Sequence, residues 1–344
     1  MVNEVRPNGF LEPRLNAFER LTTWDNLLLA YRKAAKGKRG HPNVARFEYR
    51  LEDNILLLQE ELRTQTYLPG DYTHFHIHEP KRRLISAAPF RDRVVHHALC
   101  QVIEPAFERS FIFDSYANRK GKGTHRARQR AQAFARKYKY FIHLDIVQFF
   151  PSIDHKTLRY ALWRKVKDEH VRRLINQILL SGEGVHGESS GRSCGLPIGN
   201  LTSQFWANVH LNPLDHFIKR SLGCKAYLRY VDDLVLFSND KQQLHAWHDR
   251  VLRRVEDLSL SLHEPRHPQP VTEGLPFLGF VIYPDRVRLK RRKGIHYSRK
   301  LKQLLMAGDE EVLQASIQGW TNHVRYGNTV GLRVALLKQW TPND

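Results

Sequence analysis

Apolar positions along the chain follow two rhythms, one close to four residues and one of two. From residue 15 to 64 the rhythm is helical. Leu27, Leu28, Leu29 and Tyr31 precede a loop from Lys33 to Pro42 that is rich in Lys, Arg and Gly. Phe47, Leu51, Ile55, Leu58 and Leu62 then mark a second helix, and Pro69-Gly70 ends it. Residues 71–78 alternate, with His74, His76 and His78 on one face and Phe75 and Ile77 on the other, which predicts a strand. A basic-to-apolar strand is expected from Lys81 to Pro89, an amphipathic helix from Arg91 to Ile103, and another helix from about 124 to 138.

Phe141, Ile142 and Leu144 make an apolar strand that ends at Asp145. A tight turn with Gln148, Phe149 and Phe150 leads into a helix from about His155 to Lys167, continued by one from 168 to 181. Residues 182–191 read as a loop, and Cys194–Gln204 as a Gly/Pro turn opening a helix that carries Phe205, Trp206, Val209 and Leu211. Between Ala226 and Ser238, apolar β-formers flank two adjacent acids, so two short buried strands should be joined by a turn carrying Asp232 and Asp233. A charged helix over 241–260, a hairpin with a central glycine over Leu275–Tyr283 and a small helical C-terminal domain complete the pattern. No internal repeat or low-complexity segment interrupts it.

Charge changes the picture most. Lys and Arg number 55 against 35 Asp and Glu, a net charge of +20 spread along most of 344 residues. Such a chain repels itself unless it meets a polyanion, so nucleic acid is the expected partner and an acidic membrane surface the alternative. No stretch reaches the ~18 apolar residues of a membrane span, and the polar start Met1–Arg6 has no signal-peptide pattern. Cys100, Cys194 and Cys224 lack any Cys-x-x-Cys spacing, which fits a reducing compartment without disulfides or a zinc site. Alternating His74, His76 and His78 could ligate a metal, but with no Cys or fourth His close by, a polar strand face near RNA is the expectation.

Candidate chemistry centres on acids. A carboxylate at the end of an apolar strand, like Asp145, is costly to bury. The Asp232-Asp233 doublet crowds two like charges, which a bound divalent cation would offset, although an Asp-rich surface turn fits as well. If adjacent antiparallel strands bring the three acids together, they suit two Mg²⁺ ions about 3.5–4 Å apart, with Mn²⁺ a possible substitute. A basic protein with that site transfers nucleotidyl groups or cleaves phosphodiesters, and spacing does not choose between them. The Gly-rich loop Ser115–His125 offers Arg119, Lys120 and Lys122 to phosphate without being a P-loop. Residues 285–300 hold eight Lys or Arg, including Lys290, Arg291, Arg292 and Lys293, and form a second polyanion candidate.

Taken in order, these stretches closely resemble the reverse transcriptases over roughly residues 70–290. Lys81–Leu99 and Ser115–His125 look like the two fingers blocks, Phe141–Asp154 like the palm block with the first catalytic acid, and Gly195–Gln204 like the block beneath the incoming nucleotide. Tyr230-Val231-Asp232-Asp233 looks like the Tyr-x-Asp-Asp box and Phe277–Pro284 like the last palm blocks. Most reverse transcriptases carry Gln-Gly-x-x-x-Ser-Pro in the fourth block, whereas this chain has Ile198-Gly199-Asn200-Leu201-Thr202-Ser203-Gln204. That variant, with Tyr116-Ala117-Asn118-Arg119 and Gly121-Lys122-Gly123-Thr124, resembles the enzymes of diversity-generating retroelements.

The resemblance implies an α+β right-hand polymerase with an antiparallel palm sheet and a helical thumb. It places a helical extension at 1–70, fingers at 71–139, palm at 140–285 with an insertion at about 155–193, and thumb at 286–344, with no RNase H or endonuclease domain. It makes Asp145, Asp232 and Asp233 catalytic metal ligands, with the carbonyl of Ile146 a further ligand. Lys81, Arg83, Gln148, Phe149, Phe150, Ile198, Gly199 and Gln204 would hold the dNTP, Phe150 by excluding a 2′-OH. Phe277, Leu278 and Gly279 would form the primer grip, and Tyr230 would meet nucleic acid with the basic residues named above. Phe149 and Phe280 also fit as plain core. Implied partners are a template RNA, a cDNA primer end, dNTPs and a small basic oligomeric accessory protein, in the cytoplasm of a bacterium or from a phage. The implied product is adenine-mutagenised cDNA for a variable protein gene. A group II intron-like or retron reverse transcriptase is the alternative enzyme, and an inert RNA-binding scaffold the alternative of another class.

Overall fold

A computed structural model describes residues 15–78, 82–183, 192–263 and 267–338. Within it the chain forms two compact units, one from residues up to 110 together with 150–210, the other from 111–149 together with 211 onward. The expected fingers segment, 71–139, therefore contributes to both.

The first unit is built on the helix Phe90–Glu108, whose Val94, Val95, Ala98, Leu99, Cys100 and Ile103 are buried. The helix Trp24–Ala35 packs along it through Leu27, Ala30 and Tyr31. The single helix expected through Phe47 and Leu62 is two, Pro42–Tyr49 and Leu51–Arg63. Arg50 leaves helical geometry between them at φ −124°, ψ 52°, and the Asn54 amide donates across the break to the Phe47 carbonyl at 3.0 Å. The two helices expected over 155–181 are His155–Trp163 and Glu169–Ser181; the first ends at Trp163 rather than near Lys167, and Asp168 caps the second by accepting from the amides of His170 and Val171. Strands β1 (Thr73–Ile77) and β2 (Arg83–Ala87) pair antiparallel, with Thr73 opposite Ala87. β1 is exposed along its whole length.

The second unit holds a four-stranded antiparallel sheet. Its strands are β3 (Tyr140–Asp145), β4 (Tyr227–Tyr230), β5 (Asp233–Ser238) and the short β6 (Gln269–Pro270), in the order β4-β5-β3-β6. A second sheet joins β7 (Leu275–Phe277), β8 (Phe280–Ile282) and β9 (Val287–Leu289) in sequence. Near-continuous apolar runs in β3 and β5 follow from burial on both faces. The helix Thr124–Ala135 contributes Ala127, Ala131 and Phe134 to a core with Phe141, Leu228, Val235, Phe237, Phe277 and Phe280. The helix Lys241–Glu256 packs against β3 and β5 through Leu244, Val251 and Val255. Three last helices, Arg291–Ala307, Glu310–Val324 and Val330–Lys338, make a small core of their own, in which Tyr297 and Trp320 stack at 4.2 Å between centroids. Among the described residues, no helix is long and apolar enough to cross a membrane.

Candidate active site

Register brings the acids together. In the β3–β5 ladder Asp145 lies directly opposite Asp233, and in the β4–β5 ladder Tyr230 lies opposite the same Asp233. The hairpin is therefore closed by Val231 and Asp232 alone, a two-residue turn. Directly opposed residues of an antiparallel pair project to one face and so do residues two apart on a strand, so Asp145, Asp233 and His143 share a face. Two like charges directly opposite each other destabilise a sheet, and an imidazole stands near each carboxylate. His143 Nε2 stands 2.7 Å from Asp233 Oδ1, and His263 Nε2 stands 3.7 Å from Asp145 Oδ2. The Asp145 carbonyl also accepts from the His263 amide at 2.9 Å. The Tyr230 phenol is pushed up, first by burial and then by Asp233, and stays neutral.

The turn is held from below. Arg229 is fully buried and pairs with Asp215, also fully buried, through Nε and Nη2, both at 2.8 Å. Its Nη1 donates to the Val231 carbonyl at 2.9 Å, and Nη2 also reaches Ser115 Oγ at 3.2 Å. Tyr227 donates its hydroxyl to Asp215 at 2.7 Å. The backbone of Arg229 is itself flanked: its amide donates to the Asp114 carbonyl and its carbonyl accepts from the Tyr116 amide. Sequence reasoning missed Arg229, Asp215, His143 and His263. An arginine inside an apolar strand, one residue before Tyr230, was the available signal.

Backbone strain falls on the expected segments. Val231 has φ 56°, an outlier for a β-branched residue, and Gln148 (φ 43°), Asn118 (φ 53°) and Leu278 (φ 47°) are in the same region. Leu278 and Gly279 (φ 85°) form the two-residue turn between β7 and β8, with Phe277 opposite Phe280, the geometry of a type I′ hairpin. Phe277 is buried and its ring meets His143 edge-on at 6.1 Å, so the hairpin expected to grip primer packs on the sheet that carries the acids. Ile146 is buried and bridges to Leu262, and the Val147 amide donates to the Ser261 carbonyl, which straps the segment after Asp145 in place. Gln148 is exposed and Phe149 buried.

In the glycine-rich loop, Arg119 donates to the carbonyls of Ile112 (2.7 Å) and Ser115 (2.8 Å), and Lys122 donates to the Phe113 carbonyl at 2.7 Å. Both cations brace the loop itself, and Lys120 is the exposed one. Lys290 precedes the helix Arg291–Ala307, with Arg291, Arg292 and Lys293 exposed in its first turn.

The other expected residues belong to the first unit. Arg83 is exposed on β2, and Lys81 lies outside the described residues. The Ile198 carbonyl accepts from the Ser86 amide at 3.0 Å, and Asn200 Oδ1 from the Ala88 amide at 3.4 Å, so the fourth block is stitched to β2. Gly199 has φ 117°, and a Cβ there would lie 3.0 Å from the Ile85 side chain. Phe150 and Gln204 are half-buried, and the Phe150 carbonyl accepts from the Leu196 amide. His155, fully buried, donates from Nε2 to the Gly195 carbonyl at 2.7 Å while Nδ1 meets Ser193 Oγ at 2.9 Å, which locks the same turn.

Among the described residues, no group of three or more His, Cys, Asp or Glu is arranged as a metal site. The donor set still suits a hard cation: Mg²⁺ is held by one or two carboxylates plus substrate phosphates rather than by an all-protein cage. Opposed aspartates at a strand end next to an acidic turn supply that share.

The family model described as "Reverse transcriptase (RNA-dependent DNA polymerase)" matches residues 77–282, more than half of the chain. Protein YkfC of Escherichia coli is 25% identical over 288 residues, 72% of this chain and 75% of that protein. The group II intron-encoded protein LtrA of Lactococcus lactis is 26% identical over 170 residues, 48% of this chain and 28% of that one. The retron Ec73 reverse transcriptase of E. coli is 29% identical over 118 residues, 30% and 34% of the two chains. Among solved structures, apo telomerase from Candida tropicalis shares the fold at a TM-score of 0.51 and 12% identity, over 79% of this chain and 58% of that one. The chain belongs to the reverse transcriptase family, the RNA-dependent DNA polymerases, and is related to those of group II introns and retrons.

Proposed function

We propose that this polymerase serves a diversity-generating retroelement, copying a structured template RNA into cDNA substituted at template adenines for insertion into a variable protein gene. The observation that carries the reading is the fourth block, Ile198-Gly199-Asn200-Leu201-Thr202-Ser203-Gln204, where an apolar side chain stands in place of the family's glutamine. Without that amide, discrimination between right and wrong pairs loosens. The accessory protein such elements employ, small, basic and oligomeric, would be a partner.

Asp145, Asp232 and Asp233, with the Ile146 carbonyl, would hold Mg²⁺. Bound there, two such ions would lower the pKa of a primer 3′-hydroxyl and neutralise the triphosphate. The remaining work falls to the chain itself. Arg229 fixes the turn that presents Asp232. The Leu278-Gly279 turn supports the primer strand. Gln148 and Phe149 amides and Arg83, with Lys81, meet the triphosphate. Phe150 fills the space a ribose 2′-OH would need, and Gly199 and Gln204 shape the floor beside Ile198. Residues 71–139, 140–285 and 286–344 would act as fingers, palm and thumb.

The intron- and retron-encoded relatives favour a second reading, a reverse transcriptase of those elements. Primer extension on a defined RNA with Mg²⁺, followed by cDNA sequencing, separates the two. Wild type should extend and Asp232→Ala should not. Errors concentrated at template adenines support the retroelement reading, and errors spread evenly over the four bases remove it.

A further inference from the structure

Away from the acids, basic side chains of the second unit gather around the ring of Phe280. The Arg128 guanidinium lies over that ring at 3.8 Å from its centroid, and the His323 ring lies 5.5 Å from it. The Lys293 side chain lies over Gly279, the neighbour of Phe280, in the space that a Cβ there would take. His125 contacts Arg128, its ring lies tilted against that of Tyr326 at 3.8 Å between centroids, and Arg325 lies beside it. Among the described residues no carboxylate pairs with Arg128, Lys293, His323, His125 or Arg325.

Arg128 is 3% exposed, and its Nε and Nη1 have no hydrogen-bond partner among the described residues. A buried guanidinium with idle donors is costly to fold around. Burial comes first among the causes that lower these groups, and neighbouring cations follow for Lys293 and His323. Burial lowers the Arg128 pKa to about 10, and burial followed by Lys290 and Arg128 lowers that of Lys293. His323 is lowered by burial and then by Lys293, Arg128 and His125. A second arrangement has the same defect. Lys290, Arg291, Arg292 and Lys293 sit at the start of the helix Arg291–Ala307, the end where the helix dipole favours negative charge. Both arrangements become favourable if an anion is present.

We infer that Arg128, Lys293 and His323, with His125 and Arg325 at the edge, form a phosphate site for the backbone of a bound nucleic-acid strand. The identity of the strand rests on the polymerase reading; the preference for phosphate does not. These side chains offer donors and no carboxylate acceptor, so they hold phosphate rather than read base edges. The exposed Lys293 is the group a strand can touch, and the buried Arg128 adds field that solvent screens little. The adjoining Leu278-Gly279 turn places the site where a strand supported by that hairpin would continue.

The test uses the full chain without metal, so that no extension occurs, and a 3′-blocked primer on an RNA template. Affinity is measured against salt, and melting of the free chain is followed in parallel. Lys293→Ala, at an exposed position, should weaken duplex binding about tenfold and reduce the salt slope by about one. Arg128→Met keeps the packing on Phe280; it should weaken binding while leaving the melting temperature of the free chain unchanged or higher. Unchanged affinity and slope in Lys293→Ala overturn the site, as does an Arg128→Met chain that melts earlier yet binds normally. Inorganic phosphate is the second arm. Should it stabilise wild type but not Lys293→Ala while duplex binding stays equal, the assignment to a strand is wrong. Failure of wild type to extend an unblocked primer once Mg²⁺ is supplied would sink the polymerase reading and leave these binding results standing.

Discussion

Arg229 donates through Nη1 to the carbonyl of Val231 at 2.9 Å, from a guanidinium whose other edge is taken by Asp215. The buried pair thus controls one atom of the turn that carries Asp232. A fork is needed for this, because a lysine ammonium is a point charge that cannot span Asp215, Ser115 and the carbonyl together. Arg229→Lys should lower kcat for nucleotide addition about 100-fold, with KM for dNTP and duplex affinity within about twofold of wild type. Breaking the buried pair should also cost about 3 kcal/mol of stability, so kinetics are scored on the folded fraction. A folded Arg229→Lys enzyme with normal kcat would show that the clamp does not position the turn.

Val231 occupies positive φ, where a β-branched side chain costs about 1–3 kcal/mol. Val231→Gly removes that strain and frees the turn. Stability in urea should rise by about 1 kcal/mol while kcat falls, a trade expected where a strained site is preorganised. Loss of both stability and rate would mean that the valine side chain is packed rather than strained.

The acid-bearing hairpin was legible in the sequence because its two signals agree: runs of apolar β-formers on either side and an acidic doublet between them. The convergence of Asp145 with Asp233 followed once β3 and β5 were taken as neighbours. The break at Arg50 was not legible, since apolar spacing runs across it and only a local contact, from the Asn54 amide, marks it; the boundary at Asp168 was legible, and its cap is what fixes it. Arg119 and Lys122 read as phosphate ligands because composition counts charge, not where a guanidinium turns; their donors close the loop on its own carbonyls. The buried Arg229–Asp215 pair escaped for the converse reason, as its partners are distant in sequence.

Asp114 binds Arg130 at 2.8 Å and Lys219 at 2.9 Å and accepts from Tyr116. Burial pushes its carboxyl up, but the bonds from Arg130 and Lys219 outweigh this and hold it below the usual range. A depressed aspartate adds stability above its unfolded pKa, near 3.9, and that contribution is lost as pH falls through the lower folded value. Asp114→Asn should therefore lower stability at neutral pH and flatten the acid limb below about pH 4. Unfolding by urea at several pH values reads both, and parallel curves for wild type and variant would refute the assignment.

Ile198 offers the sharpest test of the retroelement reading, because the main chain there is pinned independently of the side chain. Its carbonyl takes the Ser86 amide, Gly199 adopts φ 117° against Ile85, and Asn200 accepts from Ala88. Ile198→Gln should therefore keep the turn and restore only the amide, whereas Gly199→Ala would disturb the turn itself. If the apolar side chain relaxes selection, cDNA made by Ile198→Gln should carry about tenfold fewer substitutions opposite template adenines, with errors at the other bases little changed. The Gly199→Ala enzyme should lose stability and activity without that selective gain. An adenine error rate that stays the same in Ile198→Gln would mean that the fourth block does not set fidelity and would move the weight to the intron and retron reading.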